Sequence, residues 1–198
     1  MRIGIDGKKA ASDANETGRA LRSVIMELAD NYPENEFYLY VPKITGDNFI
    51  AELEAFHNIR ICYPAPSGFK GELWRAFGQT NNLPADKIDI YHGIDGQLPL
   101  NIQMSGIQSV VSISKQNLCS EENKGLKGAI CRYKLKKSLH NSSLILVEDA
   151  EIKEAVLGNY DVAEDKIVFP DSFGENRGIS AFLMKVYEHL LENKERKK

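Results

Sequence analysis

A histidine followed by a glycine closes a short apolar run in the segment Lys87–Leu100, KIDIYHGIDGQLPL, where Ile88, Ile90 and Tyr91 make a strand pattern that ends on His92-Gly93. A polar loop carrying Asp95, Gly96 and Pro99 follows. In an open parallel sheet, ligands bind where strands end and loops begin. An imidazole at that point titrates near neutrality and hydrogen-bonds through either nitrogen, and glycine lets backbone approach a ligand closely. Two readings are open from the local pattern: a residue at the mouth of a site, or a strand cap bonded to neighbouring backbone.

A second chemical feature is a run of positive charge. Lys124, Lys127, Arg132, Lys134, Lys136 and Lys137 fall in a stretch with no Asp or Glu before Val147. A basic amphipathic helix is drawn to anionic lipid head groups by about 1 kcal/mol per charge near the surface, which makes these residues candidates for peripheral membrane contact. The plainer alternative is a solvated helix whose Leu126, Ile130, Tyr133 and Leu139 turn to the core. The spread of the charges around the helix favours it.

Composition narrows the field. With 198 residues, 42% of them apolar, the chain suits one domain, or one domain with an appendage. A net charge of −3 gives no general attraction for nucleic acid. Cys62, Cys119 and Cys131 are odd in number and too widely spaced for a zinc site, so they are expected as reduced, partly buried thiols. No spacing implies a metal or a cofactor. The first strand pattern starts at Arg2, leaving no room for a targeting segment, and the longest apolar runs, such as Leu144–Val147, are far too short to span a bilayer. A soluble, cytoplasmic protein is the expectation.

The elements that must position these groups alternate along the chain. Strands are predicted at Arg2–Asp6, Glu36–Val41, Ile59–Tyr63, Ile88–His92, Ser109–Ile113, Leu144–Glu148 and Ile167–Phe169. Between them the three-four spacing of apolar residues predicts helices over Thr17–Asn31, Asp47–Phe56 (with Asp47 as N-cap), Gly71–Asn82, Lys124–Asn141 and Asp149–Asn159. Such alternation, with strands rich in Ile, Val and Tyr, predicts a doubly wound, mainly parallel sheet of about seven strands with helices on both faces. After a turn-rich stretch from Asp171, the residues Ile179, Phe182, Leu183, Val186, Tyr187, Leu190 and Leu191 form one stripe of a final amphipathic helix that must dock on the domain.

Several segments together resemble a known family. MRIGIDGKKA, YPENEFYLYVP, KIDIYHGIDGQLPLNI, GIQSVVSI and VAEDKIVF resemble, in order and spacing, the N-terminal half of retaining glycosyltransferases of the GT-B fold, family four. In that family this half is a Rossmann-like, acceptor-binding domain. FGENRGISAFLMKVYEHLL resembles the family's last helix, which crosses back onto the N-terminal domain. The resemblance implies a Rossmann-like domain over 1–170, a linker over 171–178, and a crossover helix with a frayed basic tail over 179–198. It also implies that the second Rossmann domain, which grips the nucleotide-sugar, is missing, because two such domains need roughly twice this length. The family's donor-site pair of glutamates eight positions apart has no counterpart in the sequence.

The family's cleft motifs are altered. Where such proteins carry a Thr-Gly-x-Gly turn that brings backbone N–H groups to an anion, this chain has Asn15-Glu16-Thr17-Gly18. Gly18 is kept, but Glu16 would repel a phosphate, and an N-cap formed by Asn15 or Thr17 is the competing use of the loop. After SVVSI the family places a His-Asp pair near the acceptor hydroxyl. Ser114-Lys115 stands there instead, and a protonated lysine cannot accept a proton. After LILV the family's Ser-Glu and Thr-Lys pairs give way to an acidic Glu148-Asp149-Ala150-Glu151. His92 keeps the family residue.

The resemblance and its departures imply a glycosyltransferase-like acceptor-side domain with no catalytic residues of its own, inactive alone. Its cleft is marked by Gly18, His92, Gly93, Asp95, Ser114 and Lys115 and takes a sugar or lipid-linked acceptor. The alternatives are a subunit of a split transferase completed by a donor-domain protein, a homodimeric or otherwise non-enzymatic assembly or regulatory protein, and an engineered single domain. Charge at Glu16, Lys115, Glu148 and Asp149 favours a domain living alone, since a surface awaiting a partner needs apolar complementarity.

Overall fold

The computed structural model describes residues 1–12, 14–43, 48–66, 68–118, 125–170 and 178–195. Seven strands, β1 (Arg2–Asp6), β2 (Glu36–Tyr40), β3 (Ile59–Cys62), β4 (Ile90–Gly93), β5 (Gln108–Ile113), β6 (Leu144–Val147) and β7 (Ile167–Val168), form one sheet in the order β3-β2-β1-β4-β5-β6-β7. All six pairings are parallel. The chain winds outward in opposite directions from β1 and β4, which are neighbours. That makes the crevice between their C-terminal ends the topological switch point of a doubly wound fold.

Alternation along the strands divides the core into two layers. Ile3, Ile5, Phe37, Leu39, Ile90 and Val110 enter the layer closed by α1 (Lys8–Ser12), α2 (Glu16–Asn31), α3 (Asn48–Glu54) and α8 (Gly178–Glu195). Tyr38, Tyr40, Tyr91, Val111, Ile113 and Ile145 enter the other. That second layer is closed by a π-helical turn (Trp74–Gly78) that follows the short α4 (Gly71–Leu73), and by α5 (Gln79–Ala85), α6 (Leu126–Asn141) and α7 (Ala150–Asn159). The final helix docks as its stripe predicts: Phe182, Leu183, Val186, Tyr187 and Leu190 are buried, and Met184 joins them. Ile179 departs from the stripe and is 42% exposed.

Other departures have local causes. The short α1 was not visible as a pattern, because two buried alanines, Ala10 and Ala11, make up its inner face. Helical structure runs past Asn82 to Ala85 with Pro84 inside its last turn, and the chain turns at Lys87, whose φ is 55°. That turn delays β4 to Ile90. Asn15, not Thr17, caps α2: its side chain accepts a hydrogen bond from the Gly18 amide at 3.0 Å.

Two corrections are larger. Leu126, Ile130 and Tyr133 do not turn to the core but are 78%, 46% and 55% exposed, and Leu135 and Leu139 carry the inner face of α6. The cysteines are not uniformly reduced: Cys62 is a free, half-buried thiol whose pKa burial pushes up to about 12, whereas Cys131 is disulfide-bonded. Asp47, Cys119, Lys124, nearly all of the 171–178 linker and the last three residues of the tail lie outside the described residues. Among the described residues, no helix is long and apolar enough to cross a membrane.

Candidate functional site

The loop after β4 is fixed in place by a buried ion pair. Asp6 ends β1 beside His92 on β4, and its carboxylate accepts from Arg75 Nε at 2.8 Å and from Nη2. Both side chains are buried. Arg75 sits in the π-helical turn, whose wider winding lets Trp74 and Arg75 both face inward. Gly78 makes room for this, since a Cβ there would lie 2.5 Å from the Trp74 ring. Burial alone would lower the Arg75 guanidinium, but Asp6 and Glu72 together hold it above its ordinary value. Arg75 Nη1 then donates to Gln97 Oε1 at 2.6 Å, tying the loop to the pair. The loop folds back so tightly that a Cβ on Gly93 would stand 2.2 Å from the Gln97 carbonyl oxygen, so only glycine fits.

Above this support lies a cleft of about 570 Å³ at the C-terminal ends of β4, β5 and β6. Its inner wall is apolar, built from Leu21 and Val24 of α2, Ile94, Leu146, and Phe182 and Leu183 of α8. Its rim is polar, and four of the six residues expected to mark the cleft line it: Asp95, Ser114 and Lys115 at the rim and His92 at the floor. Gly18 and Gly93 serve it indirectly, through the cap of α2 and the tight loop. Asp95 is engaged rather than free: Lys9 Nζ is 2.7 Å from its Oδ1, and Asn117 Nδ2 donates to the same oxygen at 3.3 Å. The Ser114 amide and hydroxyl both donate to Asn117 Oδ1 at 2.8 Å. Lys115 reaches outward, with its ammonium 3.6 Å from Glu151 and its amide donating to Glu148 at 3.4 Å. Among the described residues, no cluster of His, Cys, Asp and Glu is arranged to hold a metal ion.

His92 is placed differently from the titratable ring at a site mouth that the sequence suggests. It lies in the cleft's floor, fully buried, with Nδ1 2.7 Å from the Tyr187 hydroxyl on α8 and Nε2 2.7 Å from Ser112 Oγ on β5. Desolvation lowers its pKa from 6.5 to about 3, so the ring is neutral near pH 7. It joins the last helix to the sheet. The unfolded chain takes up a proton near pH 6.5 that the folded chain refuses until about pH 3, so this contribution to stability is present above 6.5 and is lost as pH falls through that window. The expected loss is about 2 kcal/mol between pH 7 and pH 5. Urea denaturation at the two pH values checks it: His92→Gln flattens the dependence, and an unchanged slope in that variant would disprove the assignment.

Sequence reading missed Asp6, Arg75, Ser112 and Tyr187. Asp6 carried the same signal as His92, a polar residue closing an apolar strand. The others carried none, because their partners are far away along the chain.

No protein-family model matches the sequence, and no curated protein resembles it at the sequence level. Solved structures do resemble the fold. The apo form of the lipopolysaccharide outer core galactosyltransferase WaaB is 17% identical with a TM-score of 0.52, the match covering 85% of this chain and 44% of that one. A glycosyltransferase from Rickettsia africae ESF-5 is 15% identical with a TM-score of 0.54, the match covering 95% of this chain and 48% of that one. The chain therefore has a glycosyltransferase-like Rossmann fold and spans about half the length of the proteins it resembles.

Proposed function

We infer that the chain is the acceptor-side domain of a GT-B glycosyltransferase of the family-four type, without transfer activity of its own. The observation that carries this reading is the cleft: an apolar wall and a polar rim at the C-terminal ends of β4, β5 and β6 of a glycosyltransferase-like sheet, next to its switch point. An apolar wall with few oriented polar groups suits one amphiphilic ligand, a sugar on a lipid-like aglycone. The same geometry supports the absence of catalysis. His92 is too weak a base once desolvated, Asp95 is held by Lys9, and Lys115 occupies the place of the family's carboxylate. A second reading is a subunit of a split transferase, whose cleft a donor-domain protein completes.

Thermal denaturation tests the assignment. Octyl glucoside below its micellar concentration, at about a hundred times its dissociation constant, stabilises by about 2.7 kcal/mol and raises the melting temperature by roughly 5–10 °C. UDP-glucose alone leaves it unchanged. Ala20→Trp, at an exposed position lining the cleft, removes the octyl glucoside shift while the fold is retained. A shift with UDP-glucose alone, or an undiminished octyl glucoside shift in the variant, contradicts the reading.

A further inference from the structure

Exposed large apolar side chains are not scattered over this molecule. Five of the eight among the described residues lie on α4, the π-helical turn and α6, Phe69 lies just before α4, Met104 lies in a 3-10 turn, and the eighth, Ile179, lines the cleft. They form two ridges. Phe69, Leu73 and Phe77 recur four residues apart from just before α4 to the π-helical turn, at 58%, 59% and 41% exposed. Leu126, Ile130 and Tyr133 form the outward ridge of α6, directly opposite its buried Leu135 and Leu139. Met104, 82% exposed, stands beyond the first ridge in a single 3-10 turn, Ile102–Ser105.

The ridges are neighbours. Lys134 Nζ on α6 lies 3.9 Å from Glu72 on α4. The π-helical turn that continues α4 and α6 itself grip the loop after β4, through Leu100 N to the Ala76 carbonyl at 2.8 Å and Leu98 N to Ser138 Oγ at 2.9 Å.

Charge on this face is opposite to that of the whole. Apart from Arg75, which is buried against Asp6, residues 69–84 and 126–141 hold six basic residues and one acidic residue, in a chain of net charge −3. The one acidic side chain, Glu72, is already bonded to Lys8 at 2.7 Å. Lys70, Lys127, Arg132, Lys136 and Lys137 are exposed around the ridges. Apolar and aromatic side chains fringed by lysines match the two layers of an anionic bilayer surface, acyl chains beneath and negative head groups above. An acidic protein would meet the lysines but leave two apolar ridges without a counterpart, and a second copy would set lysines against lysines.

We propose that the face formed by α4, the π-helical turn and α6 docks on an anionic lipid bilayer, with Phe69, Leu73, Phe77, Leu126, Ile130 and Tyr133 entering the interface. This is independent of the function proposed above, because it stands on the outer surface and not on the cleft.

Vesicle co-sedimentation of the full chain tests it, with phosphatidylcholine vesicles against vesicles containing about one third phosphatidylglycerol. The chain sediments with the anionic vesicles and not with the neutral ones, and high salt weakens the binding. The triple change Leu73→Ser, Leu126→Ser, Ile130→Ser lowers partitioning at least about tenfold, as does the pair Lys127→Glu, Lys137→Glu. All five positions are exposed, so the melting temperature of each variant stays near that of the parent. Failure to bind either vesicle overturns the proposal, as does equal binding by the parent and the serine variant. A dimer in solution that the serine variant dissociates, with no vesicle binding, assigns the face to a second copy and overturns it as well.

Discussion

A chain ended at Pro170 does not fold. Helix α8 buries Phe182, Leu183, Met184, Val186, Tyr187 and Leu190 against α2 and the first core layer. Burying one such side chain is worth about 1.5–3 kcal/mol. Six of them amount to roughly 9–18 kcal/mol, at or above the whole stability of an ordinary domain at about 5–15 kcal/mol. Removing the helix also strips the Tyr187 hydroxyl from His92 Nδ1 and uncovers the first core layer. Circular dichroism of the truncated chain should show no cooperative melting where the full chain shows one. A truncated chain that melts near the parent temperature would mean that α8 is an accessory rather than a structural part of the domain.

Replacing Arg75 with methionine is the second large effect. The pair with Asp6 is buried at both ends, with side chains 7% and 2% exposed. Removing one partner of a buried pair strands the other charge and costs about 3–5 kcal/mol. Arg75→Met also frees Gln97, so the loop that carries Asp95 loses its anchor. In the double variant Asp6→Asn, Arg75→Met no charge is stranded, and its loss is smaller than the sum of the two single losses. Urea denaturation of the four proteins measures the coupling. Additive losses would mean that the pair does not act as a unit.

Strands are where the sequence was most legible. Ile3, Ile5, Phe37 and Leu39 face one layer and Tyr38 and Tyr40 the other, so nearly every residue of a two-faced sheet strand is apolar and bounded by turn chemistry. The stripe of α8 was legible for the related reason that one helix face carries its burial. What could not be read depends on pairs distant in sequence. Arg75 lies 69 positions from Asp6 and His92 lies 95 from Tyr187, and no local pattern connects them. The outward ridge of α6 misled for a different reason. Apolar residues at helical spacing mark a face that avoids water, but the spacing does not say whether protein or something else covers it. The strand end at His92 lies in the floor of the cleft. Its chemistry was not legible, since burial between α8 and β5 removes the titration that made the residue attractive.

The central claim, that the cleft above His92 receives an acceptor and not a nucleotide-sugar, is tested most directly by amide chemical-shift mapping of the isotopically labelled chain. Octyl glucoside should move the amides of Leu21, Ile94, Ser112 and Lys115 together, with saturation, while UDP-glucose leaves them in place. Saturable movement of those same amides by UDP-glucose, or octyl glucoside shifts confined to residues outside the cleft, would contradict the account.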